Sequence, residues 1–135
     1  MENDIKRLHE ILREGKCCAV ALVQVALESK AQQNDQLLQA VRGLCGGVQG
    51  GLVCGALTGA ACAMNVLSPE HANDCMVPEL TEWFVHAMGE AYGGSNCEDI
   101  LAGEPMNKAT RCSAVVEATY LQIKTILESY EHTLN

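Results

Sequence analysis

From Gly43 to Pro69 the chain carries no Asp, Glu, Lys or Arg, and seven of these residues are glycine. Such a stretch is long enough to span a bilayer. Its glycines, with Gln49, Thr58 and Asn65, leave it too weakly apolar for a lone span, so it reads as a core helix. A phosphate loop is excluded as well: "GGVQGGL" lacks the Lys-Ser/Thr that must follow the last glycine, and no strand precedes it. What remains is close packing. Gly51, Gly55 and Gly59 recur at i, i+4 and i+8 and predict one bare face on a helix over about 51–67. Each glycine costs such a helix about 1 kcal/mol relative to alanine, and an approaching helix backbone or a cofactor would give the reason. Cys54 lies beside that face and Cys62 continues it.

The rest of the sequence is compatible only with helices. Hydrophobic residues make up 48% of the 135 positions, yet five are aromatic (one Trp, three Tyr, one Phe). Ala, Val, Leu and Cys must fill the interior, which suits closely packed helices better than sheets. Ile5, Leu8 and Leu12 share a helix face, and Gly15 ends that helix. Cys17 to about Glu28 is apolar nearly all round and predicts a buried helix. Asn34 can cap a helix running to Leu44. Ser68-Pro69 predicts the start of a short helix, and Pro78 starts another, stopped by Gly93-Gly94. Ser95-Asn-Cys-Glu98 has capping-box form. A last helix over about 107–134 carries the stripe Ala109, Cys112, Val116, Tyr120, Ile123, Leu127 and Tyr130. These readings predict a single all-α domain over residues 1–135, a bundle of about five to seven helices around a buried Gly/Cys-rich central helix.

A net charge of −8 argues against nucleic acid, which needs a basic face, and against an anionic membrane surface. The charged start "MENDIKRLHEIL" lacks the apolar core of a signal peptide, so a cytoplasmic location is expected. In that compartment thiols stay reduced, and the eight cysteines are expected to serve metal, redox chemistry or packing rather than structural disulfides. No C-x-x-C occurs. The zinc knuckle, the thioredoxin-type pair and haem attachment are therefore excluded, and cooperating cysteines must converge from separate helices. Cys18 opens the second helix just after Lys16, and Cys97 sits in the first turn of a capped helix. Both positions favour a thiolate, although Glu98 and Asp99 oppose it at Cys97. Cys112 lies on the inward stripe, next to Arg111.

These elements, in this order, resemble a family of redox-active proteins named for a C…CGAxxG…C…C signature. Cys54-Gly-Ala-Leu-Thr-Gly59 matches its glycine-cysteine element, "CAVALVQVAL" its first cysteine helix at Cys18, "YGGSNCEDIL" its third cysteine at Cys97, and "RCSAVVEAT" its fourth at Cys112. The resemblance runs from about Cys17 to Leu127. It implies an all-helical cytoplasmic protein of bacteria or archaea with a redox role. A similar region occurs in split-Soret cytochromes, which carry an iron–sulfur cluster. Cluster binding by Cys18, Cys54, Cys97 and Cys112 is thus an implication of the resemblance. The chain departs from the minimal pattern in Cys17, Cys45, Cys62 and Cys75, and Cys17 competes with Cys18 for the first position.

Three readings follow. In the first, Cys18, Cys54, Cys97 and Cys112 hold an iron–sulfur cluster or a zinc ion, with Gly55 and Gly59 leaving room, for electron transfer or redox sensing. In the second, no cofactor is bound; Cys18 or Cys97 is the attacking thiolate and Cys54 or Cys112 resolves, as an oxidoreductase accessory. In the third, the cysteines are packing and the chain is a helical scaffold. His9, His71, His86 and His132 show no paired metal spacing; His86, beside an inner stripe, reads as a ligand or proton donor at most. Trp83 and Phe84 read as one exposed and one buried anchor, and Met64, Met76, Met88 and Met106 as core filler. The glycine face also offers a surface to a second copy, and a redox partner of unnamed kind is expected.

Overall fold

The computed structural model describes residues 2–134, and the side chains of residues 3–130. It is all-α. Seven helices are found among the described residues: α1 (Glu2–Arg13), α2 (Cys18–Ser29), α3 (Asp35–Val41), α4 (Gly55–Leu67), α5 (Val77–Tyr92), α6 (Cys97–Leu101) and α7 (Ser113–Leu134). A 3-10 turn, Arg42–Leu44, extends α3, and single wide π-type turns, Ala72–Met76 and Lys108–Cys112, lead into α5 and α7. None of the helices is long and apolar enough to cross a membrane.

The core is built as its composition requires. α2 is buried from Ala19 to Leu27 except at Gln24. One side of it joins Leu8 and Ile11 of α1, Met64 of α4, Leu80 and Phe84 of α5 and Val116, Tyr120 and Ile123 of α7 in the main cluster. The other side, through Ala19, Val20, Val23 and Leu27, meets Val41 of α3 in a smaller one. Tyr120 is buried within this apolar mass, and its hydroxyl donates to Asp4 Oδ2 at 2.8 Å. Burial, then the Asp4 carboxylate, pushes its ionisation far up. Met64, Met76 and Met88 are core residues, whereas Met106 is 81% exposed, contrary to the reading of all four as filler. Phe84 is buried and Trp83 half-buried against the main cluster.

Local signals set most boundaries. Asn34 Oδ1 accepts from the Leu37 amide at 3.0 Å and starts α3, as the sequence suggests. Gly93 ends α5 in the left-handed conformation. Ahead of α6 the cap moves by one residue: Asn96, not Ser95, is the N-cap, and its amide donates to Asp99 Oδ2 at 3.2 Å. Ser68-Pro69 starts no helix of its own; turns lead from it into Ala72–Met76.

The largest departure concerns the glycine run. α4 begins at Gly55, with Cys54 at the N-cap, and Gly51 lies outside it, at the end of a distorted π-type turn, Gly47–Gly51. Gly46, Gly47, Val48, Gln49 and Gly51 all have positive φ, a conformation that glycine adopts freely and that a β-branched residue such as Val48 adopts at a cost. The three-glycine helix face therefore does not exist. Two glycines do the packing. A Cβ on Gly59 would lie 2.5 Å from Ala19 Cα, and one on Gly55 would lie 3.4 Å from Ala19 N. Their occupant is the backbone of α2, so neither a cofactor nor a second copy lies against Gly55 and Gly59, and the surface expected to support a homodimer is covered within the chain.

Candidate functional site

The α2–α4 contact sets two of the predicted cysteines side by side at one end of the bundle. Cys18 is the first residue of α2, one position from Ala19, and Cys54 caps α4. The third is placed by main chain. Val53 and Asn96 form an isolated antiparallel pair, and the Cys97 amide donates to Leu52 O at 2.8 Å. This brings Cys97, at the start of α6, beside Cys54. Gly94 is needed there because a Cβ would collide with the Asp99 carboxylate. The fourth arrives on the wide turn before α7, which is docked onto α6 by Asn107 Nδ2 donating to Leu101 O (2.8 Å) and Arg111 Nη1 donating to Ile100 O (3.0 Å). Arg111 also lies over the Tyr92 ring, 5.4 Å from its centroid. Its role is to anchor the turn rather than to serve Cys112.

Cys18, Cys54, Cys97 and Cys112 come from four segments and lie within electrostatic reach of one another. Each thiol's ionisation is set chiefly by one partner: Cys18 and Cys112 act on each other most strongly, and so do Cys54 and Cys97. Charge on one pair is felt by the other. Cys54 is the buried member of its pair, while Cys18 and Cys112 are both half-buried. The Cys18 thiol is pushed well up by its bond to Cys112, then by burial, then by the neighbouring thiolates. Cys54, 3% exposed, is driven up by its bond to Cys97 and by burial, with the Ala56 amide opposing. Their partners move down. Cys97 falls to about 6, chiefly through the bond from Cys54, helped by the Gly55 amide and Lys108 and opposed by burial. Cys112 is lowered by the bond from Cys18 and by Lys108, against burial and the Cys97 charge. The amide at the N-terminus of α4 is a fitting neighbour for a thiolate. Within that pair Cys18 is pushed up and Cys112 drawn down, opposite to the advantage expected for Cys18. Lys108 and the Gly55 amide were missed; the i, i+4 spacing of Lys108 to Cys112 was the available signal.

The remaining cysteines separate cleanly. Cys17 and Cys45 form a disulfide with Cα atoms 5.8 Å apart. This corrects the expectation that no structural disulfide would form, and it removes Cys17 as a substitute for Cys18. Cys62 is half-buried, with its thiol raised by burial, and Cys75 is exposed. His86 is exposed and paired with Glu90 at 3.2 Å, far from the role of ligand.

Four thiolates are the donor set of iron–sulfur clusters and of structural zinc. The arrangement does not match that set: among the described residues no group of three or more Cys, His, Asp or Glu is placed to hold a metal ion.

A helical fold that gathers four cysteines without a C-x-x-C defines a protein of cysteine-based chemistry. The sequence profile of the family described as "Putative redox-active protein (C_GCAxxG_C_C)" matches residues 16–126, and the chain belongs to that family. Here the central element reads Cys54-Gly55-Ala56, with Cys and Gly in the reverse order to that description. No curated protein and no solved structure matches the chain.

Proposed function

We propose that Cys18, Cys54, Cys97 and Cys112 form one redox centre that works by thiol–disulfide chemistry, storing up to four electrons in the pairs Cys18/Cys112 and Cys54/Cys97. The observation that carries this reading is the convergence of four thiols as two interacting pairs, each with one thiol pushed up and its partner drawn down. That is the starting arrangement of thiol–disulfide exchange, in which Cys97 or Cys112 attacks a disulfide and its own partner resolves the mixed disulfide. Such a protein would act as an accessory to an oxidoreductase or as a redox sensor in the cytoplasm, with a protein or small-molecule disulfide as its partner.

A second reading makes the same four cysteines ligands of an iron–sulfur cluster, or of zinc. The all-cysteine composition of the site favours it; the pairs would have to open toward a common centre, and Cys18 and Cys54 would have to lose their protons. Purification without oxygen, a visible spectrum, and iron, zinc, sulfide and thiol determinations on one sample test both. A colourless, metal-free protein that reversibly loses four thiols on mild oxidation supports the proposal. Brown protein with iron and matching sulfide replaces it with the cluster reading, and zinc without colour makes the site structural.

A further inference from the structure

The four paired thiols leave unexplained the Cys17–Cys45 disulfide, which joins the start of α2 to the end of the turn after α3. Both cysteines are half-exposed. They line an open groove of about 990 Å3 whose walls include Lys16, Asp35, Arg42 and Gln49. Cys17 also lines a second, small cleft of about 140 Å3, which it shares with Lys16, Cys18, Lys108 and Cys112. Cys17 is thus a wall common to the two spaces. The small cleft has about one seventh of the groove's volume (140 against 990 Å3), so the groove is the space that suits a peptide-sized disulfide. The groove has ample room.

We propose that the Cys17–Cys45 disulfide is a second redox site, open to a low-molecular-weight disulfide or thiol that enters the groove, and that Cys17 relays electron pairs between this site and the Cys18/Cys112 pair. The proposal rests on the thiol–disulfide reading above. In the first step Cys112 Sγ attacks Cys17 Sγ; the Cys112–Cys17 bond forms, the Cys17–Cys45 bond breaks, and Cys45 leaves as a thiolate that takes up a proton. In the second step Cys18 loses its proton and its sulfur attacks Cys112 Sγ. The Cys18–Cys112 bond forms, the Cys112–Cys17 bond breaks, and Cys17 leaves as a thiolate. Cys18/Cys112 has then lost two electrons and Cys17/Cys45 has gained them, with no other reagent. A disulfide RSSR in the groove restores the outer pair: one of its thiolates displaces RS−, and the other displaces the second RS− from the mixed disulfide. The sum is Cys18/Cys112 dithiol plus RSSR giving the Cys18–Cys112 disulfide plus two RSH. Lys16 and Arg42 on the groove suit an anionic reagent.

The test compares two oxidants on the prereduced Cys18/Cys112 pair, read by quenched alkylation and peptide mapping: glutathione disulfide, which fits only the groove, and diamide, which is smaller. In Cys17→Ser/Cys45→Ser, formation of the Cys18–Cys112 bond by glutathione disulfide should slow at least about tenfold while the diamide rate holds. A second variant, Cys18→Ser/Cys45→Ser, cannot complete the relay, should accumulate a Cys17–Cys112 bond, and decides alone if the first does not fold. An unchanged glutathione rate, or no Cys17–Cys112 bond in the second variant, overturns the relay and leaves the paired-thiol reading standing. Failure of diamide to form Cys18–Cys112 in the unmodified protein overturns the paired-thiol reading itself.

Discussion

Gly59→Ala is the substitution in which fold and site meet. A Cβ at this position would lie 2.5 Å from Ala19 Cα, 2.9 Å from its carbonyl oxygen and 3.1 Å from its carbonyl carbon. Ordinary contact begins at 3.4 Å, so α2 and α4 must part by about 0.9 Å (3.4 − 2.5) along that line. The obstacle is main chain on both sides, with no side-chain rotamer to yield. Overpacking of this kind costs about 1–3 kcal/mol, here toward the upper end, and removing a helix glycine returns about 1 kcal/mol. The net expectation is a loss of about 1–2 kcal/mol. Gly89, exposed in α5 with nothing within 4 Å of its Cβ position, is the control. Gly89→Ala gains the propensity alone, about 0.5–1 kcal/mol. In urea unfolding of the reduced protein, the two variants should differ by roughly 1.5–3 kcal/mol. With a slope of about 1.5–2 kcal/mol/M, that separates their midpoints by about 0.75–2 M. Because Cys18 adjoins Ala19, Gly59→Ala should also slow formation of the Cys18–Cys112 bond. If Gly59→Ala is as stable as Gly89→Ala, the close approach of α2 and α4 is wrong, and with it the placement of Cys18 beside Cys54.

Other consequences can be checked separately. The lowered Cys97 binds fewer protons folded than unfolded between pH about 6 and its ordinary value near 9, so it should make the reduced protein more stable as pH rises through that window. Cys18 and Cys54, both raised, act oppositely and should erode stability above pH about 9; thermal melts against pH should show a smaller rise in Cys97→Ser, where only Cys112 remains lowered, than in the unmodified protein. Alkylation of Cys97 by iodoacetamide should reach half its maximal rate near pH 6. Val48→Gly relieves a left-handed β-branched residue that is 53% exposed, and should stabilise by about 0.5–1 kcal/mol in denaturant titration. Tyr120→Phe, which deletes the 2.8 Å bond to Asp4, should cost about 1 kcal/mol by the same assay.

How far the sequence carried can be traced residue by residue. Cys17–Glu28 was legible as a buried helix because nearly all its residues are apolar, and α7 because its stripe repeats on a helical period. The four site cysteines were named through the family's ordered elements; spacing alone excluded known motifs without pairing anything. The start of α4 was misplaced. Spacing makes Gly51 indistinguishable from Gly55 and Gly59, and only the backbone reveals that Gly51 sits at φ +75 at the end of a distorted turn ahead of the Val53–Asn96 pair. The Cys17–Cys45 bond was illegible for a related reason: it depends on how α3 folds back on α2. The order of acidity within Cys18/Cys112 was read wrongly. Sequence neighbours such as Lys16 and Arg111 suggested it, and burial with cross-helix hydrogen bonds decided it.

The central claim, two thiol pairs in one centre, is tested most directly by disulfide mapping. The protein is prepared without oxygen, reduced, oxidised with limiting diamide, alkylated and digested without reductant. The account predicts Cys18–Cys112 and Cys54–Cys97 as the linkages formed among these four cysteines, in colourless, metal-free protein. Four thiols that stay alkylatable, or bonds scattered among all combinations, would contradict it.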